Sequence, residues 1–342
     1  MMEFNAASTC TGWSVRCAAC GSCCNSAPLL SLPELFRHQH LFVGTLGMRR
    51  IRRVQSGDSL GRGRITCRAD EEDRRDYERL AADCLHPLRG LDGNGNGHDL
   101  LLTSLAFDEP GAGRCPALGD DAHCSLHGKH KPVVCSAIPF DPLMPDRLQH
   151  LVLAERFAES DDLGARCIAR TTDPERTTVL GAGVDDEARR VLAAARGALA
   201  TDKCYWGNAL FAQLTQQGLD ERGSTERIPT EVFVVLPLTP VLELLAGVSE
   251  RCRERCLDYL DAQIVLCDLM ANASLARKRV SVEVSVSRLH TLLRAYRVLR
   301  GLLLVRGTAY LTPPGATASA IESWLEHEPP QAPSLASAGA VA

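Results

Sequence analysis

Lysine is nearly missing from this chain. It stands only at positions 129, 131, 203 and 278, so the basic side is arginine almost throughout. That skew reads as coding bias before function, and a net charge of −4 gives no global pull toward nucleic acid. Long apolar runs are missing too. The longest, from Val232 to Val248, is broken by Pro237, Pro240 and Glu243 and is too short and too interrupted to span a bilayer. The opening Met-Met-Glu-Phe-Asn has no basic segment followed by an apolar run, so no secretory signal is expected. A phosphate-binding Gly-x-x-x-x-Gly-Lys-Ser/Thr loop is absent, as are a Gly-x-Gly-x-x-Gly turn after a strand and a serine nucleophile elbow. These absences argue against nucleotide hydrolysis, a Rossmann-type methyltransferase and serine acyl transfer. What remains is ordinary in bulk: 342 residues, 45% hydrophobic and 23% charged, enough for two domains and a sizeable core.

Cysteine is the exception. There are 15, an odd number that fits poorly with a complete disulfide framework. With no signal for export, they are expected in a reducing cytoplasm as thiols, thiolates or metal ligands. Four fall within eight residues, Cys17, Cys20, Cys23 and Cys24, in Cys-Ala-Ala-Cys-Gly-Ser-Cys-Cys. Thiolates two residues apart can grip one metal centre from a single tight turn, and soft sulfur ligands select zinc, iron or iron–sulfur clusters. Gly21 supplies the positive φ that such a knuckle needs. Cys115, Cys124 and Cys135 form a second compact block.

Seven thiolates exceed the four that one zinc takes. They could serve a four-iron, four-sulfur cluster plus a three-cysteine site with an open position, or two zinc sites sharing a thiolate. Neighbours Cys23 and Cys24 point apart in most backbone conformations and more easily serve different metal atoms. His123, His127 and His130 flank Cys124 and could replace a thiolate, though surface or outer-partner roles are the plainer reading. Cys167 and Cys204 could add ligands. Cys67 and Cys84 have no partner visible in the sequence.

These blocks resemble the YkgJ-type cysteine-cluster family, described as zinc- or iron-chelating proteins. Cys17, Cys20, Cys23 and Cys24 match its Cys-x-x-Cys-x-x-Cys-Cys step. Cys115-Pro116-Ala117-Leu118, Cys124-Ser125-Leu126-His127 and Lys131-Pro132-Val133-Val134-Cys135 match its later steps, and Pro139-Phe140 closes the pattern. Lys131 stands where Arg is usual, His127 where Tyr is usual, and a long insertion separates the blocks. The resemblance covers roughly residues 15–142 and implies a cytoplasmic metal-binding protein holding iron, an iron–sulfur cluster or zinc through Cys17, Cys20, Cys23, Cys24, Cys115, Cys124 and Cys135. Flagellin lysine N-methylases have similar cysteine blocks and use S-adenosylmethionine. The likeness to them is looser, because their cysteine spacing differs and their Tyr-Pro-Arg step after the last cysteine is absent. That reading would add a protein substrate; an iron-dependent oxidoreductase is a third. No catalytic residue can be named.

The expected fold is α+β. A small cysteine-rich metal-binding domain with short strands and loops precedes a mainly α-helical domain. The expected divisions are a flexible 1–14, a cysteine-cluster domain 15–170, a helical domain 171–312 and a disordered tail 313–342 with at most one helical turn near Ile321 to Leu325. Ser31-Leu-Pro-Glu34 predicts a capped helix ending near Gln39 or His40. Residues 43–68 suggest short strands, 70–83 an exposed charged helix, and Leu100 to Phe107 a strand feeding Cys115. From Asp185 onward the period is helical, with Ala188, Val191, Leu192, Ala195 and Leu199 on one face. A second helix runs from about Glu250 to Leu275, and Leu289, Leu292, Leu293, Tyr296 and Leu299 mark a third. Cys252, Cys256 and Cys267 share a face with Leu260 and Ile264 and read as core. Asp92 to Gly97 matches only the first half of a calcium loop, because Thr103 stands where the bidentate Glu belongs; it reads as a flexible turn. Arg49, Arg50, Arg52 and Arg53 make either a solvated face or a basic patch, and no base-reading motif accompanies them.

Overall fold

The computed structural model describes residues 12–17, 21, 24, 28–61, 66–88, 97–107, 114–158, 167–170, 177–180, 183–219, 225–276, 282–305 and 316–326. In chain order its elements are β1 (Trp13–Val15), α1 (Leu32–Arg37), β2 (Gly44–Arg52), β3 (Ser59–Leu60), β4 (Cys67–Arg68), α2 (Glu71–Cys84), β5 (His86–Pro87), β6 (His98–Ala106) and α3 (Val133–Ala137). Then come α4 (Gln149–Ala158), β7 (Ile168–Ala169), β8 (Thr177–Leu180), β9 (Gly183–Val184), α5 (Asp186–Asp202), a π-turn (Lys203–Gly207) and α6 (Asn208–Gln216). β10 (Val234–Pro237), α7 (Thr239–Ala246), α8 (Glu250–Ala276), α9 (Val282–Val305) and α10 (Ala318–Glu326) complete the order. The fold is mixed α+β with small antiparallel sheets. Among the described residues no helix is long and apolar enough to cross a membrane.

The central sheet has the order β10-β2-β6-β5. Residues 43–68, expected as short strands, contain β2, nine residues paired from Gly44↔Ala106 to Arg52↔His98 with β6. β6 is buried along almost its whole length because both of its faces are covered. Side chains alternate across a strand. Leu100 and Leu102 therefore enter the large core under α8 and α9, while Leu101 enters a second core with Tyr77, Leu80 and Leu143. β10 lies in the half expected to be helical, yet it pairs with β2 from the first half. The large core likewise runs from Leu30 to Leu325.

The long helices hold the sheet by a few specific joints. Tyr259 of α8 stacks on Phe36 of α1 at 4.4 Å. Gln263 is fully buried and satisfied: it accepts from the Gly44 N–H at 2.8 Å and donates to the carbonyls of Gln39 and Phe42. The Tyr296 hydroxyl donates to the Gly44 carbonyl. Gly44 is required there, since a Cβ would stand 2.0 Å from the Tyr259 oxygen. As the period predicts, Cys252, Cys256 and Cys267 are buried in this layer.

Two expectations need amending. The helix over 70–83 forms, but Tyr77, Leu80, Ala81 and Cys84 bury one face of it. The segment expected as tail contains α10, whose Ile321 and Leu325 are buried one turn apart against α1 and α8. Two apolar residues at i, i+4 were enough, because a groove was waiting for them.

The four arginines of and after β2 serve the fold. Arg53 pairs with buried Asp99 at 2.8 Å, Arg52 with Asp58 at 3.1 Å, Arg50 donates to the Ile228 carbonyl, and Arg49 lies over the Phe233 ring. Gly97 is described; the rest of the expected calcium-like turn lies outside the described residues.

Candidate metal centre

Both cysteine blocks leave the same end of the central sheet. Beyond the first block, the chain pairs along the C-terminal end of β6: Leu30 N–H donates to Ser104 O, Ala106 N–H donates to Pro28 O, and Leu29 bridges Leu105. Cys115 follows that same end of β6. The Cys115 N–H donates to the Cys24 carbonyl at 2.7 Å and so ties the blocks by backbone. Gly21 seals the joint. Its φ of +71° is the knuckle conformation expected for it, and a Cβ would stand 2.7 Å from the Ala122 carbonyl and 2.9 Å from the Leu118 side chain. Alanine there would force the first block off the second.

The second block is a compact turn. Leu118 bridges Cys124, Ser125 N–H donates to Ala117 O, and the Arg114 guanidinium caps the carbonyls of Leu118 and Gly119. Cys135 arrives from another direction, in α3. The start of α3 is clamped by Glu34 of α1, whose carboxylate accepts from the Val133 N–H at 2.8 Å and from the N–H and hydroxyl of Ser31. Ser31 and Glu34 are the capping box read from the sequence. The clamp across 99 residues was not.

The electrostatics of this corner point one way. Cys135 keeps some exposure, yet desolvation of its thiol pushes its pKa far above the ordinary thiol value. Lys131 pulls it back down, and Cys115, Glu34 and Cys124 push it further up. Burial also raises Glu34 against the pull of its hydrogen bonds. Behind it lies fully buried Asp202, raised well above the carboxylate range by burial and by the Glu34 charge. Asp202 accepts from the Leu32 N–H at 3.3 Å and from the Ser104 hydroxyl at 3.4 Å. Such a corner disfavours extra negative charge and would welcome a cation.

Of the seven cysteines expected as ligands, Cys24, Cys115, Cys124 and Cys135 are brought into one neighbourhood. Cys17 follows β1, where Arg16 N–H donates to the carbonyl of Cys167 at 2.9 Å. Cys167, a candidate extra ligand, therefore lies beside the start of the first block. Cys20 and Cys23 lie outside the described residues. Among the described residues no group of three or more His, Cys, Asp or Glu side chains is arranged to hold a metal ion, and no disulfide joins the described cysteines. His123 is exposed, with its ring held by the Asp121 carbonyl; His130 offers its carbonyl to the His38 ring. Cys204 belongs to the π-turn, Cys67 to β4, and Cys84 ends α2.

Sequence reasoning missed Asp202 and His86. Asp202 continues the apolar stripe of α5, three residues beyond Leu199, so a carboxylate on a buried face was the available signal. His86 is buried, stacked on Phe211 at 4.7 Å, with no hydrogen-bond partner for its Nε2 among the described residues, over Gly207 of the π-turn. Burial and nearby Lys203 lower its pKa to about 3. No protein-family model, no curated protein and no solved structure matches the chain, so the reading of this site rests on its own chemistry.

Proposed function

We propose that the chain is a metal-binding protein of a reducing compartment, chelating iron, an iron–sulfur cluster or zinc through its cysteine blocks. The observation that carries the reading is the backbone joint between Cys24 and Cys115, with Cys124 and Cys135 beside it. It unites cysteines more than 90 residues apart in one desolvated corner. Buried neutral thiols need no such gathering; sulfur ligands of one centre do. Cys24, Cys115, Cys124 and Cys135 would hold the metal, with Cys17, Cys20 and Cys23 completing the set. When bound, it would supply the positive charge that lets these thiols ionise. Lys131 eases that loss of protons, and Glu34 holds α3 so that Cys135 faces the others.

Anaerobic purification with metal analysis and an absorption spectrum tests the reading. About one or more metal atoms per chain are expected, falling in Cys135→Ser. Visible sulfur-to-iron absorption would select iron over zinc. Protein that is metal-free when isolated without oxygen, and that takes up neither zinc nor iron, would overturn it.

A further inference from the structure

The outward face of the α8–α9 hairpin has no role in the site above. On it Val265 and Leu269 of α8 keep 59% and 61% of their surface exposed, and Val298 and Leu302 of α9 keep 59% and 41%. Spacings of four residues set each pair on one stripe, opposite the stripe that meets the sheet. Between the helices run two adjoining hollows of about 470 and 530 Å³ that share His290 and Arg294. Apolar patches of this extent on a soluble surface mark contact sites.

The balance of charge on the two ridges differs in sign. Exposed Glu254, Asp258, Asp261 and Asp268 edge α8, where the exposed Arg251 is taken up by Glu326, whereas exposed Arg288, Arg294 and Arg297 outnumber Glu283 on α9. Within the chain the helices are antiparallel, as the Asp261–Arg300 ion pair and the bond from Arg253 to the Leu303 carbonyl require. We propose that this face binds a second copy of the chain, two hairpins stacking into an antiparallel four-helix layer. A two-fold axis parallel to the hairpin lays α8 of each copy over α9 of the other. Acidic ridge then meets basic ridge twice, and the apolar stripes close between them. The 24 residues of α9 extend about 36 Å, and two helices make a face roughly 18 Å wide. That is about 650 Å² per copy, or about 1,300 Å² in total, within the range of specific interfaces.

Sedimentation equilibrium on the full chain, from about 1 to 100 µM, tests the proposal. The mass is expected to double with concentration. Val298→Glu and Leu269→Glu should each raise the dissociation constant about tenfold or more with unchanged circular dichroism. Arg294→Glu with Arg297→Glu should also dissociate the pair, and adding Asp261→Arg and Asp268→Arg should restore it. A chain that stays monomeric throughout, or a dimer indifferent to all these changes, would overturn the proposal. The first result would give the face to a foreign partner, and the second would place self-association elsewhere.

Discussion

Cys135 and Cys256 carry thiols that burial pushes far above their ordinary pKa, yet their surroundings could hardly differ more. Cys256 sits in α8 beside Cys252 and Arg255 of its own helix, inside a layer of leucine and tyrosine. Cys135 faces Lys131, Glu34, Cys115 and Cys124, gathered from three separate stretches of chain. The shift alone does not tell a core thiol from a ligand; the origin of the neighbours differs, and at Cys135 it suits the ligand role proposed above. The helical layer uses cysteine as a small apolar side chain. At the sheet's end Cys115 joins the same core, but it is tied by its N–H to the Cys24 carbonyl and lies near Cys135 from another stretch of chain.

The largest expected break between the two regions follows metal removal. A bound metal can contribute of the order of 10 kcal/mol, while ordering loops costs about 1–2 kcal/mol per residue. Chelation should therefore expose residues 17–24 and 115–135 to protease and to hydrogen exchange, leaving α8 and α9 protected. Metal release with no change at these segments would show that the centre does not organise them.

Glu34→Ala comes next. It leaves the Val133 and Ser31 N–H groups without their acceptor, a loss of about 2–4 kcal/mol by the usual cost of unsatisfied buried donors. Metal affinity should fall with it. Denaturant melts that match the parent would show that water replaces the carboxylate.

Acid sharpens the comparison. The folded-state pKa of His86 lies below that of the unfolded chain, so its contribution is full above about pH 6.5 and is lost as pH falls toward 3. By pH 5 the loss is about 2 kcal/mol. His86→Phe should flatten this limb when pH-dependent melts are compared on metal-free protein. Glu34 and Asp202 act with the opposite sign. Their raised values favour the folded state at low pH and lose that advantage as pH rises. Asp202→Asn should therefore gain relative to the parent toward neutral pH, and a parallel pair of curves would remove this assignment.

The smallest effect belongs to the helical layer. Cys256→Ala should cost about 1 kcal/mol and leave metal content unchanged. Lost metal would mean that α8 reaches the centre.

What the sequence disclosed follows how local each signal is. The helix over Glu250–Ala276 and the capping box at Ser31 were legible because their partners lie three or four residues away. Strands were legible over 43–68, but the nine-residue length of β2 was not, since glycine and arginine mask it and its pairing with β6 sets its extent. The spacing of Cys17, Cys20, Cys23 and Cys24 suggested ligands, and the joint to Cys115 depends on two extended segments meeting at one end of β6. Glu34 was legible as a cap and illegible as a clamp, because its second partner is set by tertiary packing alone.

The π-turn after Asp202 has one more implication. A π-turn is an α-helix carrying an extra residue. Deleting any single residue from Lys203–Gly207 would let α5 run on into α6 as one regular rod. Because the wide turn has absorbed that residue, α6 would keep its phase and Leu210 its buried face; only the local bulge beneath the His86 ring at Gly207 would be lost. The same deletion one turn earlier or later would instead rotate all that follows by about 100°. The turn should thus be the one place along α5 and α6 where losing a residue does little harm.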